Sequence, residues 1–163
     1  MEGELGTLPT IAEGKASFPP SSFLTDPIQA EKFVQETGVD ALAVAIGNIH
    51  VTEAEDIDLD IHHLDAIREH VSLPLVLHAG SGIADGAVKK AIRHGIRKIN
   101  VGSVLRKVFF DALKEKINVT DPFAHPYDII GSGLDEDVLL AGKIAMKNLI
   151  REKMVIFGSA GKA

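Results

Sequence analysis

Short apolar runs alternate with amphipathic segments along the whole chain, and this alternation most constrains the fold. The runs occupy residues 3–6, 40–47, 74–77 and 98–101. The segments between them repeat apolar residues every three or four positions, which is typical of helices with one buried face. Strands that are separated by helices form parallel sheets through right-handed crossovers. The sequence therefore predicts an α/β protein with a parallel sheet.

The predicted helices follow from signals at their ends. Asp26-Pro27 is typical of a helix start, and Gly38 of a helix end. Ser132 or Asp135 is expected to cap the last helix. The remaining helices are predicted over residues 59–71, 84–94, 104–117 and 135–153.

The number of strands limits the architecture. Only four strands are visible in 163 residues, whereas a complete eight-stranded barrel takes about 250 residues. The sequence therefore predicts a parallel (β/α) barrel of the TIM type in half form. It would comprise four βα units plus a C-terminal helix, in a single domain over residues 1–163.

Composition excludes several classes of function. The chain has no cysteine, so histidine and carboxylate side chains must hold any metal. A formal net charge of −6 argues against a nucleic-acid surface. No apolar run approaches the roughly 18 residues of a membrane span, and the acidic N-terminus lacks a signal-peptide pattern. We therefore expect a cytoplasmic protein that binds neither nucleic acid nor membrane.

The run from Pro74 to Gly82 is the strongest indication of a functional site. It reads as a buried strand that ends in His78 and continues into the turn Gly80-Ser81-Gly82 before a helix. In α/β enzymes, chemistry is located at the C-terminal ends of such strands. The turn could offer backbone N–H groups to a phosphate, and the imidazole could bind a metal.

Each of these features also has a structural interpretation. His78 could be a core histidine that donates to a backbone carbonyl, and the Gly80-Ser81-Gly82 turn could simply be a tight connection. His50 could be a solvated loop residue, and Glu4 an exposed carboxylate near the terminus. The histidines on the predicted helices are expected to be solvated; these are His62, His63, His70 and His94.

Several sequence blocks, in order, resemble the C-terminal half of the class II, zinc-dependent ketose-bisphosphate aldolases. The blocks are Glu4-Leu5-Gly6, the run from Thr37 to Gly47 followed by His50, the run from Leu75 to Gly82, and Lys98-Ile99-Asn100-Val101. The closing Phe157-Gly158-Ser159 is also similar to the family's tail. The resemblance covers essentially the whole chain. It implies a full (β/α)8 barrel in the complete enzyme.

The resemblance also implies a ligand set and a reaction. His50 and His78 match two zinc histidines, and Glu4 matches a carboxylate that binds the metal in an alternative position. Asn100 matches a catalytic side chain that touches the ketose. Zinc would polarise the ketone and stabilise an enediolate, while a ketose 1,6-bisphosphate is cleaved to, or formed from, dihydroxyacetone phosphate and an aldehyde. The residues expected to bind phosphate or substrate are Gly47, Gly80, Ser81, Gly82, Asn100, Gly102 and Ser103.

Departures from the family pattern leave two functions open. The third zinc histidine and a proton-transferring aspartate belong to the family's N-terminal half, and Ile11 and Ala12 stand where adjacent acids act in proton transfer. Val51 replaces a glycine. The chain could be an aldolase whose missing strands come from elsewhere. Alternatively, it is a non-catalytic half-barrel relic or subunit that binds a phosphorylated sugar or a partner chain.

A half-barrel also predicts association. Its first and last strands would be open edges, and its inner face is expected to expose apolar residues such as Ala43, Ala45, Val76 and Ile99. Open edges and uncovered apolar surfaces drive pairing. We therefore expect a homo-oligomer or a complex with a complementary N-terminal half-barrel chain.

Overall fold

A computed structural model of the chain describes residues 1–8, 21–49 and 56–162. The chain divides into two compact units, Met1–Gly102 and Ser103–Ala163. The strands of the first unit are β1 (Glu2–Leu5), β2 (Ala41–Val44), β3 (Leu75–Leu77) and β4 (Ile96–Ile99). Its helices are a short 3-10 helix (Ser21–Phe23), α1 (Pro27–Thr37), α2 (Ile61–His70) and α3 (Asp85–Arg93). The second unit contains α4 (Ser103–Val119), α5 (Pro126–Ile129) and α6 (Val138–Ile156).

The four described strands form one parallel sheet in the order β1-β2-β3-β4. The sheet is not closed, because β1 and β4 each pair with one neighbour among the described strands. This is the arrangement of a half TIM barrel, and the prediction from the alternating pattern is confirmed. Parallel order also brings the C-terminal ends of all four strands to the same edge of the sheet.

The ends of α1 match the sequence prediction. The Asp26 carboxylate accepts a hydrogen bond of 2.8 Å from the Gln29 N–H, and Gly38 closes the helix with φ of 65°. This left-handed backbone conformation is favourable only for glycine and a few short polar residues. Local signals alone therefore determine this helix.

Aliphatic packing holds the first unit together. Leu42, Leu75 and Leu77 on the sheet are fully buried, as are Leu64 and Ile67 on α2. Burying an aliphatic side chain of this size contributes about 1.5–3 kcal/mol before conformational entropy is subtracted. Along the strands, the buried leucines alternate with the residues of the concave face, because successive side chains in a strand point to opposite sides.

The apolar side chains of the concave face are buried, and the expectation of an exposed apolar face is wrong. Ala43, Ala45 and Val76 are only 1%, 4% and 0% exposed. The Lys98 ammonium on β4 lies 2.6 Å from the Glu2 carboxylate on β1. These strands are at opposite edges of the sheet, so the ion pair must cross its concave side. Ile99 is half-buried and follows Lys98 on the opposite face.

His70 and His94 are exposed as expected but also form ion pairs, whereas His63 is half-buried. His63 Nε2 forms a hydrogen bond of 2.8 Å with the Thr25 carbonyl. His70 pairs with Glu31 at 3.1 Å, and His94 pairs with Asp65 at 2.7 Å. The two exposed pairs each join neighbouring elements of the outer helical layer.

The second unit depends on a buried carboxylate at the start of α6. Asp137 is 3% exposed and caps the helix, where Ser132 or Asp135 had been expected. It accepts hydrogen bonds from the N–H groups of Gly133 at 2.8 Å, Gly131 at 3.1 Å and Leu139 at 2.9 Å. These bonds, that from Gly133 first, hold the pKa of Asp137 below its usual range, although burial opposes them.

Within the described ranges, no helix combines the length and the apolar character that a membrane crossing requires.

Candidate functional site

The C-terminal ends of β1 and β2 are joined by one buried threonine. The Thr25 hydroxyl donates to the Leu5 carbonyl at 2.6 Å and accepts from the Ala45 N–H at 2.8 Å. Thr25 is 1% exposed. The sequence analysis did not identify Thr25, because its partners are backbone groups far away in sequence.

Asn48 joins the end of β2 to the end of β3. Its side-chain amide donates to the His78 carbonyl at 2.7 Å, and its side-chain oxygen accepts from the Ile46 N–H at 2.8 Å. Asn48 is 1% exposed. A polar residue between Gly47 and Ile49 in an otherwise apolar run was the one signal that could have identified it. The segment that leads to His50 is thereby tied to the backbone of His78.

His78 and Glu4 meet at this edge of the sheet. A hydrogen bond of 2.9 Å joins His78 Nδ1 to Glu4 Oε1, and the two side chains are 33% and 44% exposed. Because an ionised carboxylate only accepts, the bond places the proton of the neutral ring on Nδ1. The lone pair is then on Nε2, the nitrogen that could coordinate a metal. Glu4 uses only Oε1 in this bond, so direct coordination of a metal by Glu4 would use Oε2 or break the pair.

The backbone beside His78 adopts an unusual conformation. Ala79 has φ of 55°, in the left-handed region that residues with a side chain rarely enter. Such conformations occur mainly at functional sites, where surrounding contacts hold the backbone in place. Here the His78 carbonyl is held by Asn48 and the Gly80 N–H by Asn100.

The donor types fit zinc, but the described residues supply only part of a ligand set. Imidazole nitrogen and carboxylate oxygen are common zinc ligands, and catalytic zinc sites use three protein ligands. Residues 1–8, 21–49 and 56–162 contain no group of three or more side chains able to hold a metal. The second expected histidine, His50, lies outside these ranges, as do Ile11, Ala12 and Val51.

The turn after His78 contacts the segment that follows β4. The Gly80 N–H donates to the Asn100 carbonyl at 2.8 Å, and the Gly102 N–H points to the Ser81 hydroxyl at 3.4 Å. Ser81 is 7% exposed, and Gly82 has φ of 79°. Three expected phosphate contacts are thus brought together, namely Ser81, Gly82 and Gly102. A phosphate would use groups other than the Gly80 N–H, which already has an acceptor.

Two further expected contacts are Gly47 and Ser103. Gly47 follows β2 with φ of 102°, a conformation that favours glycine. Ser103 is the first residue of α4 and belongs to the second unit.

Asn100 lies beside a charged pair that the sequence prediction did not include. Its side-chain amide donates to Glu2 at 3.2 Å, and Glu2 is held by Lys98. The hydrogen bond from Lys98 lowers the pKa of Glu2, and burial opposes this shift only in part. Glu2 and Glu4 alternate along β1, and so do Lys98 and Asn100 along the chain. This two-residue spacing was the available sign that all four side chains share a face.

Comparison with known proteins places these features in a family. The family model described as fructose-bisphosphate aldolase class II matches residues 1–162. A crystal structure of the YdjI aldolase from Escherichia coli K12 is 37% identical with a TM-score of 0.73, and the match covers 99% of this chain and 50% of that one. The fructose-bisphosphate aldolase of Campylobacter jejuni has the same fold at 19% identity and a TM-score of 0.72, with 99% of this chain and 52% of that chain covered.

The chain thus spans about half the length of these solved structures. The family match covers both the His78 strand and the segment that carries Asn100. The chain belongs to the class II fructose-bisphosphate aldolase family.

Proposed function

We propose that this chain provides half of an aldolase active site that acts on a ketose 1,6-bisphosphate. The reaction would cleave the sugar to dihydroxyacetone phosphate and an aldehyde, or form it from them. The observation that carries the proposal is the His78–Glu4 hydrogen bond of 2.9 Å at the C-terminal edge of the sheet, next to the Gly80–Gly82 turn.

Each residue of the site has a role in this proposal. His78 and His50 would hold zinc, which supplies a Lewis acid that polarises the ketone carbonyl. Asn48 supports this pairing, since it binds the His78 carbonyl and precedes His50 by two residues. Glu4 orients the imidazole, as carboxylates beside metal-bound histidines commonly do.

The substrate would be held by the neighbouring groups. Ser81, Gly82 and Gly102 would contact its phosphate, and Gly47 is a further proposed contact. Asn100 would accept or donate a hydrogen bond to a hydroxyl of the ketose. The proposal also includes a cytoplasmic location, because glycolytic sugar phosphates are made and consumed there.

The site requires strands that this sequence does not contain. With Glu4 bonded to His78, His50 and His78 would supply only two of the three protein ligands that catalytic zinc sites use. Among the described strands, β1 and β4 each lack a second neighbour and are open edges. We therefore propose that the chain acts with a complementary N-terminal half-barrel, or as a homo-oligomer. The half-length match to the YdjI aldolase supports the first arrangement.

Reconstitution tests the proposal directly. The chain would be mixed with the N-terminal half of the YdjI aldolase in the presence of zinc, and cleavage of a ketose 1,6-bisphosphate would be followed. We expect turnover by the mixture that is lost in His78→Ala and retained in His70→Ala, whose imidazole pairs with Glu31 on the helical layer. Absence of zinc binding and of turnover in the mixture would refute the proposal.

A second candidate is a non-catalytic half-barrel that binds a phosphorylated sugar. Ile11 and Ala12 favour it, because they stand where the family carries acids for proton transfer. This function predicts that dihydroxyacetone phosphate binds to the chain without zinc and without turnover. Cleavage by the reconstituted pair would exclude it.

A further inference from the structure

We propose that Glu2 and Lys98 are positioning residues that fix the side chain of Asn100 for contact with a hydroxyl of the ligand. The inference deepens the proposed function and rests on it for the identity of the ligand. Its structural part, the orientation of the Asn100 amide, can be tested without any ligand.

The backbone of Asn100 is held from both sides by the β3 segment. Its N–H donates to the Leu77 carbonyl at 3.0 Å, and its carbonyl accepts from the Gly80 N–H at 2.8 Å. Only the side-chain torsions of Asn100 are then left to be set. The same two bonds place this residue directly beside His78.

Glu2 sets those torsions. The Asn100 Nδ2 group donates to Glu2 Oε1 at 3.2 Å. A carboxylate only accepts hydrogen bonds, so the amide nitrogen must face Glu2 and the amide oxygen must point away from it. An amide oxygen oriented in this way is an acceptor, and a sugar hydroxyl is a suitable donor for it. The orientation is therefore suited to a ligand that presents a hydroxyl donor at this position.

Lys98 keeps Glu2 in place. The Lys98 ammonium binds Glu2 Oε2 at 2.6 Å while Asn100 binds the other oxygen. Glu4 shares the face of Glu2 but is bonded to His78, so the two carboxylates serve different partners. Without the ammonium, Glu2 would be free to turn toward water, because its side chain is already 31% exposed.

Nuclear magnetic resonance of the free chain tests the orientation. The side-chain NH2 signals of Asn100 would be recorded in the natural sequence, Lys98→Met and Lys98→Arg. We expect shifted and exchange-broadened signals in Lys98→Met and near-natural signals in Lys98→Arg, which keeps a donor. Lys32→Met removes an ion pair on α1 and is expected to leave the signals unchanged. If Lys98→Met does not fold, Glu2→Leu, which removes the acceptor for the Asn100 amide, provides the same test. Unchanged Asn100 signals in the folded variant would overturn the proposal.

Ligand affinity tests the consequence in the reconstituted pair. Lys98→Met is expected to weaken binding of dihydroxyacetone phosphate about tenfold, the loss of roughly one good hydrogen bond. Binding of inorganic phosphate should change less than about twofold, because it has no hydroxyl for Asn100. In an Asn100→Ala background, Lys98→Met should have no further effect. An equal loss for both ligands would contradict a positioning role.

The two proposals can fail separately. If the natural pair bound no dihydroxyacetone phosphate, the proposed function would fail, while the Asn100 signals would still decide whether Glu2 and Lys98 fix the amide. If the natural pair bound it and Lys98→Met bound it equally well, the positioning proposal would fail alone.

Discussion

The two units of this chain place their buried polar groups differently. In the first unit, Thr25, Asn48 and Ser81 are buried at the C-terminal edge of the sheet, above a core of aliphatic side chains. In the second unit, the buried polar group among the described residues is Asp137, which only caps a helix. In the first unit, the aliphatic residues that stabilise the sheet are therefore distinct from the polar residues at the candidate site. The second uses its buried charge for local structure.

Core truncation should show the largest contrast between the units. Leu75→Ala removes a fully buried strand residue and is expected to lower the free energy of unfolding by about 3 kcal/mol. Phe110→Ala in α4 should cost about 0.5 kcal/mol or less, because the ring is 59% exposed. Chemical denaturation measures both. Equal losses would mean that α4 packs as tightly as the sheet.

Glycine substitution should give the next largest contrast. A Cβ on Gly80 would lie 2.5 Å from Ile99 Cγ2 and 3.1 Å from the Asn100 carbonyl, so Gly80→Ala must push β3 and β4 apart. We expect a cost of about 2 kcal/mol and altered Asn100 signals.

Gly142 is the matched position in the second unit. A Cβ there would meet side-chain atoms of Leu113 and Phe109 at 2.6 Å, and these can partly yield. Alanine also stabilises a helix interior by about 1 kcal/mol relative to glycine. Gly142→Ala should therefore cost less than half as much as Gly80→Ala, measured by the same denaturation. A larger cost for Gly142→Ala would contradict this ranking.

Acid should affect the second unit through Asp137. Its pKa is lowered in the folded chain, so its contribution to stability is full above the unfolded value and is lost as pH falls through the folded value. Asp137→Asn is expected to lower the thermal midpoint by about 5 °C at pH 7. The gap to the natural chain should close below about pH 4. A gap that stays constant to pH 2 would show that the charge of Asp137 contributes nothing.

The smallest effect on stability is expected at the candidate metal ligand. His78→Ala removes a half-exposed pair and should change the free energy of unfolding by less than about 1 kcal/mol. It should nevertheless weaken zinc binding by the reconstituted pair at least about tenfold. Competition with a chromophoric chelator measures this affinity. His70→Ala is the control. An equal loss of zinc affinity in both variants would mean that the effect is not specific to His78.

Local patterns were sufficient for most of the fold. Asp26 and Gly38 determined α1, and the apolar runs located all four strands. The run at β4 was placed two residues late, at 98–101 instead of 96–99, because the charged Arg97 separates Ile96 from the rest of the run. The sequence pattern did not reveal which residue caps α6, since Ser132, Asp135 and Asp137 are all residue types that cap helices.

Contacts between remote residues could not be predicted. The ion pair that crosses the concave face was not predicted, because it joins Glu2 to Lys98, 96 positions away in the sequence, across a curved sheet. Thr25 and Asn48 were missed for a similar reason, since each binds backbone groups on other strands. His78 was identified from its position at the end of a strand and Glu4 through a family resemblance, each as a separate residue; the structure shows that they are in contact.

The most direct test of the account is the zinc content of the purified complex between this chain and a complementary N-terminal half, measured by elemental analysis. The account predicts about one zinc per complex, its loss in His78→Ala and its retention in His70→Ala. A complex that forms but contains no zinc, or that keeps its zinc without His78, would contradict the claim that this edge of the sheet is half of a class II aldolase site.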